Sequence, residues 1–230
     1  VSDEGYRGMI ILTNNLNQIS LIGETLIECF AGVTVAKLCN FAYENCLSGL
    51  EFAWGIPGSV GGGIYMNAGA YGGEFKDVVK SCKYIDKDGK LAELDIAGMD
   101  MSYRHSFFCD KQLLILSVVL ECNKAEKATI KEKMDDYITR RKTKQPLEYP
   151  SCGSTFKRPP NGYASALIEE CGLKGFRIGG AEVSRKHSGF VINVGHATCK
   201  DVLELIAHIK DVVLEKKGIE LECEVKTLGL

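Results

Sequence analysis

The segment that most limits what this chain can be runs from Gly55 to Glu74 and reads GIPGSVGGGIYMNAGAYGGE. Glycine has no Cβ, so a backbone rich in it bends freely and lets a ligand come close. Successive exposed N–H groups then make an anion-binding nest suited to a pyrophosphate. A tight buried turn has the same composition, and at this level both readings stand. Two familiar nucleotide motifs are excluded. No Lys-Ser or Lys-Thr follows the glycines, as a P-loop requires. Met66 stands where a Gly-x-Gly-x-x-Gly fingerprint starting at Gly61 needs its third glycine.

The rest of the chain is ordinary for a globular protein. Its 230 residues suffice for one large or two small domains. A net charge of -2 gives no global field toward nucleic acid or an anionic membrane, and neither is expected as a partner. No apolar run approaches the roughly 20 residues of a membrane helix, and the first residues lack the regions of a signal peptide. The 10 cysteines are spread from Cys29 to Cys223 without a Cys-x-x-Cys pair, so no metal site is expected. They read as reduced thiols packed as small hydrophobes, which implies a reducing cytoplasm. A monomer is expected.

Local patterns place the elements. Ile10-Ile11-Leu12 and Ile19-Ser20-Leu21-Ile22 read as strands joined by tight turns. Thr34 precedes a helical stripe of Val35, Leu38, Cys39, Ala42 and Cys46. Cys82 to Leu94 reads as a hairpin turning at Asp88-Gly89, and Leu113 to Cys122 as a central strand. Ile130, Met134, Tyr137 and Ile138 mark a helix that runs into a basic stretch and ends before Pro146. Beyond it come a helix over Ala164–Cys171, a strand over Phe190–Val194, and a helix opened by Thr198 with Asp201 and closed near Gly218. Leu221 to Leu228 reads as a short closing strand.

The glycine-rich run resembles the flavin-cradling loop of UDP-N-acetylenolpyruvoylglucosamine reductases, with Gly63 where that family more often has alanine. Three further segments resemble the same family in the same order: Ser102-Tyr103-Arg104-His105-Ser106, Gly153-Ser154-Thr155-Phe156-Lys157-Arg158-Pro159 and Leu221-Glu222-Cys223-Glu224-Val225-Lys226. The resemblance implies an α+β fold: the second lobe of a vanillyl-alcohol-oxidase-like (PCMH-type) FAD-binding fold plus a C-terminal α+β substrate-binding domain. The FAD lobe would span 1–145 and recover a closing strand at 219–230, with the substrate domain at 146–218. The implied reaction is NADPH- and FAD-dependent reduction of the enolpyruvyl group of UDP-N-acetylglucosamine enolpyruvate to UDP-N-acetylmuramate in peptidoglycan synthesis.

By this resemblance Gly55, Ile56, Pro57, Gly58, Ser59, Gly61, Gly62, Asn67 and Ala68 line the cofactor. Arg104 holds the substrate carboxylate and stabilises an enolate, which suits the bidentate guanidinium. Ser154 donates the proton, and Glu224 polarises the substrate or its water. Taken singly, these three read by default as a surface ion pair, a turn serine and an exposed strand carboxylate. Tyr103, Lys144, Lys157, Arg158 and Lys226 are expected to bind the nucleotide substrate, where a solvated basic face is the alternative. Cys223 stands where the family usually has proline.

The resemblance also implies an N-terminal lobe upstream of Val1 with a second glycine-rich phosphate loop, and weak or absent FAD binding without it. Two rivals remain at this level: another FAD-dependent oxidoreductase of the same superfamily, and a non-catalytic nucleotide-sugar-binding fragment.

Overall fold

The computed structural model describes residues 1–160 and 162–230, which divide into two compact units, one formed by 11–141 and the other by 1–10 with 142–230. Both mix helices with antiparallel sheet, so the fold is α+β.

The 11–141 unit is built on a five-stranded sheet. Its strands run Ile19–Leu21, Leu26–Phe30, Leu114–Glu121, Val79–Ile85 and Leu91–Asp95 in spatial order, and every neighbouring pair is antiparallel. The apolar Leu114–Glu121 strand is central, as its composition requires, with Ile115, Val118 and Leu120 buried. Cys29 and Cys82 flank Val118 in register, and all three belong to one core. The Val35–Glu44 helix starts where Thr34 accepts from the Lys37 N–H, and it buries Val35, Leu38, Cys39 and Ala42. Ile10–Leu12 forms no strand. Met9 through Leu12 are exposed, because no neighbouring strand offers that segment a hydrogen-bonded partner.

Glu51 is a carboxylate sealed inside this unit at 6% exposure. It accepts from Ser48 Oγ at 2.6 Å and from the Gly49 N–H at 2.7 Å, with Lys133 Nζ 3.9 Å away. Glu51→Ala orphans both donors and leaves a void, so it is expected to cost about 3 kcal/mol of stability. A lowered urea midpoint at unchanged m checks this; an unmoved midpoint refutes it.

The second unit carries a four-stranded antiparallel sheet in the order Ser151–Ser154, Phe190–Asn193, Ala181–Val183, Arg177–Ile178. The Ala164–Glu170 and Cys199–Lys217 helices cover it through a core that includes Ile168, Leu205, Ile209 and Val213. Thr198 and Asp201 form a reciprocal capping box, and Gly218 ends the long helix at φ 65°.

The closing strand expected at 219–230 is corrected. That segment belongs with 142–218 rather than with 11–141, and it makes only an isolated bridge, Phe156 to Cys223. The cause is Leu221, which is buried in the core under the Cys199–Lys217 helix. Residues 1–10 join the same unit: Ser2 N–H donates to Leu228 O at 2.9 Å, and the Asp3 carboxylate accepts from Cys199 N–H at 2.9 and 3.0 Å. No helix among the described residues is long and apolar enough to cross a membrane.

Candidate active site

The glycine-rich run is not an open loop. Val60–Tyr65 forms a short helix, and its leading N–H groups are already engaged. Val60 N donates to Val33 O at 2.8 Å, Gly61 N to Ala31 O at 2.9 Å, Gly62 N to Ser59 Oγ at 3.2 Å and Gly63 N to Ser59 O at 2.9 Å. Of the two readings the glycines allow, close packing is the one that Gly61 and Gly63 follow. A Cβ on Gly61 would stand 2.8 Å from that of Ala31, and one on Gly63 would stand 2.6 Å from the Phe75 ring. This chain's Gly63 thus fits a fully buried Phe75.

Gly62 differs, since the nearest atom to a Cβ there is Ser59 Oγ at 3.5 Å. Its bare backbone borders a cleft of about 160 Å³ lined by Thr13, Ala31, Ser59, Gly61, Gly62, Tyr65, Leu114 and Ile115. Backbone without a side chain at Gly62 lets a flat ring approach closely, and the cleft has room for part of a cofactor of FAD's size. Of the expected cofactor residues, Ser59, Gly61 and Gly62 line this cleft. Pro57 and Gly58 are exposed, and Ile56 and Ala68 are half-buried against the core. Gly55 turns at φ 84° beneath Ile138 and Arg141 of the Lys127–Lys144 helix.

Asn67 is corrected. It is 0% exposed, so it cannot face a cofactor. Its Nδ2 donates to Glu74 Oε2 at 2.7 Å and to Ser102 O at 2.9 Å, and its Oδ1 accepts from Lys76 N at 2.9 Å. The link to Ser102 brings the Arg104 segment to the glycine-rich run. Ser102 and His105 exchange both backbone hydrogen bonds at 3.2 Å, which leaves Tyr103 and Arg104 at the tip of a tight turn. Arg104 sits at φ 55°, a left-handed conformation that costs a non-glycine residue about 1–2 kcal/mol. Its guanidinium lies 4.9 Å from the centre of the exposed Tyr103 ring. At the far end, the buried Ser106 Oγ donates to Tyr65 O at 2.6 Å.

His105 braces the same turn. Its Nδ1 is 3.1 Å from Asp100 O and its Nε2 3.0 Å from Asp110 Oδ1. Both partners only accept, so the doubly protonated ring alone satisfies both. The hydrogen bond to Asp110 chiefly, then the Asp100 carbonyl and the charges of both aspartates, hold the imidazole above its ordinary pKa, against a smaller opposing effect of burial. The brace is therefore full below about pH 6.5 and is lost as pH rises through the raised folded-state value. An NMR titration of His105 is expected to give a midpoint above 6.5 that falls in Asp110→Asn. An equal midpoint in both proteins refutes the brace.

The remaining candidates lie in the other unit. Ser154 is exposed at the end of its strand opposite Phe190, just after Gly153 at φ 80°. Glu224 is on the adjacent segment, with its N–H donating to Thr155 O at 2.8 Å. The fold thus brings Ser154 and Glu224 to neighbouring chain segments. Lys157 pairs with Glu222, and Arg158 lies 4.6 Å over the Tyr163 ring. Lys144, at the end of its helix, and Lys226 are exposed. A mainly apolar cleft of about 270 Å³ is lined by Ser151, Cys152, Thr155, Asn193, Ile206 and Val225, among others. Sequence reasoning missed Ser106 and His105 as supports of the Arg104 turn. A serine directly before the apolar Phe107-Phe108 pair was the one local signal.

Comparison with known proteins gives this architecture a family. Residues 1–95 match a family model described as an FAD binding domain, and residues 145–228 match the UDP-N-acetylenolpyruvoylglucosamine reductase C-terminal domain. A UDP-N-acetylenolpyruvoylglucosamine reductase of Syntrophomonas wolfei is 51% identical over 230 residues, covering 100% of this chain and 77% of its own length. One from Clostridium perfringens is 47% identical over 229 residues, with 100% and 75% covered. The crystal structure of a UDP-N-acetylenolpyruvylglucosamine reductase from Thermus caldophilus superposes with a TM-score of 0.80 at 34% identity, over 93% of this chain and 76% of that one. A bare-backbone cleft, an arginine turn hydrogen-bonded to the same glycine-rich segment, and likeness along the whole chain lead to one assignment: the chain belongs to the UDP-N-acetylenolpyruvoylglucosamine reductase family.

Proposed function

We propose that this chain carries out the NADPH- and FAD-dependent reduction of the enolpyruvyl group of UDP-N-acetylglucosamine enolpyruvate, giving UDP-N-acetylmuramate for peptidoglycan. The observation that carries the reading is the hydrogen-bonded union of the Arg104 turn with the cleft-bordering glycine-rich segment, through Asn67 and Ser106. That union supports a carboxylate-binding guanidinium serving the same reaction as the flavin cleft. FAD, when bound, supplies hydride transfer from NADPH to the vinyl carbon of the substrate.

The chain's own residues have three tasks. Arg104 holds the substrate carboxylate and stabilises the negative charge that builds on it as the double bond is reduced. Ser154 Oγ delivers a proton to the carbon next to the one that takes the hydride. A serine hydroxyl is a weak acid, so the charge it leaves must be compensated, and Glu224 polarises the substrate or its water on the segment beside it. Lys144, Lys157 and Arg158 bind the nucleotide diphosphate, Lys226 meets a substrate charge, and Tyr103 contacts the substrate. Lys157 exchanges Glu222 for phosphate oxygens, an exchange that favours the more highly charged ligand.

The test is direct. The FAD-loaded protein is mixed with the enolpyruvyl nucleotide, and NADPH absorbance is followed while the product is identified by mass. NADPH oxidation matched one-to-one by UDP-N-acetylmuramate is expected. Substrate binding without NADPH oxidation favours the non-catalytic module instead.

A further inference from the structure

We propose that Asn67 and Ser106 are positioning residues that pin the two ends of the Arg104 turn to the glycine-rich segment and thereby set where the substrate carboxylate is held. The proposal rests on the reading of Arg104 given above. Three observations carry it.

Asn67 is fully buried, and its carboxamide partners fix its orientation. Glu74 Oε2 and Ser102 O can only accept, while the Lys76 N–H can only donate, so the amide has one satisfactory setting. Glu74 ends the glycine-rich segment and Lys76 lies two residues beyond it, whereas the bond to Ser102 reaches 35 residues along the chain.

Asn67 also sits at φ 41°, a left-handed conformation that asparagine tolerates better than most residues. Glycine would accept that backbone but supply no amide. Aspartate would keep the shape but lose both donors beside the Glu74 carboxylate. Asparagine alone meets the backbone and the hydrogen-bond demand together.

Ser106 occupies the N-cap position of the Phe107–Lys111 helix, yet its hydroxyl makes no capping bond there. It donates to Tyr65 O instead, at 2.6 Å, and Cys109 Sγ donates to the same oxygen at 2.7 Å. A residue placed to cap its own helix is thus spent on the glycine-rich segment, at the opposite end of the turn from Ser102. Arg104, in its strained conformation, stands between the two pins.

Asn67→Gly keeps the backbone conformation and deletes the carboxamide. Ser106→Ala removes one hydroxyl and decides the matter if the glycine variant does not fold. Each variant is measured for kcat/KM with the enolpyruvyl nucleotide, for flavin reduction by NADPH without nucleotide, and for amide hydrogen exchange over residues 102–105 in the protein without substrate. The expected result is a loss in kcat/KM of about 10²-fold, mostly in KM, with flavin reduction within about twofold of wild type and faster exchange confined to 102–105. In an Arg104→Ala background the same substitution is expected to have no further effect on kcat/KM, because it acts through Arg104. Multiplicative losses in the double variant, or exchange over 102–105 equal to wild type, overturn the proposal while leaving the function intact. Unchanged kcat/KM in Arg104→Ala alone overturns the role given to Arg104, and the proposal with it.

Discussion

Ser154→Ala is expected to slow enolpyruvyl reduction by about 10²- to 10⁴-fold, the range spanned by loss of a positioned acid. Hydride arriving at one carbon leaves negative charge that only a proton on its neighbour discharges. Without the hydroxyl, the proton must come from water that nothing orients. The oxidative half of the cycle should suffer alone, since the reduction of flavin by NADPH involves no step at Ser154. The fold should tolerate the change, because the side chain is exposed at a strand end. Stopped-flow measurement of the two half-reactions separates them. An unchanged rate of product formation, or an equal fall in both halves, defeats the proton-donor role.

Arg104→Gly is expected to divide stability from activity. At φ 55° glycine is relaxed, and relief of about 1 kcal/mol offsets part of what is lost with the guanidinium's contacts, the cation–π contact to Tyr103 among them. The melting temperature should stay close to wild type. A charge-assisted pair with a carboxylate contributes about 3 kcal/mol, so kcat/KM should fall by about 10²-fold. Arg104→Lys should recover only part of this, since an ammonium lacks the two-pronged geometry. If the glycine variant melts far below wild type while turnover persists, Arg104 is a structural residue and not a substrate ligand.

What the sequence disclosed follows the range of the forces involved. The Val35–Glu44 and Cys199–Lys217 helices were legible because Thr34 and Thr198 cap them from within a few residues. The Val79–Asp95 hairpin was legible for the same reason, with Gly89 at φ 77° in its turn. The central strand announced itself by continuous apolar character. Asn67 did not: its role depends on Ser102, which no local pattern connects to it. Nest and buried turn stayed undivided because composition cannot tell that the carbonyls of Ala31 and Val33 take up the N–H groups of Gly61 and Val60. Leu221 to Leu228 has a strand-like pattern, but whether such a segment joins a sheet or packs beneath a helix is decided by partners far along the chain. The Arg104, Ser154 and Glu224 motifs were found by family resemblance, since a lone arginine, serine or glutamate has no periodicity to betray it.

The row made by Cys29, Val118 and Cys82 across the central strands has a bearing on how this protein is made. Burial pushes the Cys29 and Cys82 thiols up to about 12, and Cys122 in the same core likewise. In an unfolded chain these groups return to about 8.5, so their thiolate fraction at neutral pH rises by about 10³-fold and oxidants reach them freely. A nascent or refolding chain therefore races disulfide formation against collapse. A premature bridge between thiols that must end up on opposite sides of Val118 blocks the sheet from closing. Reductant should matter greatly to the yield of folded protein and very little to the endurance of the finished enzyme.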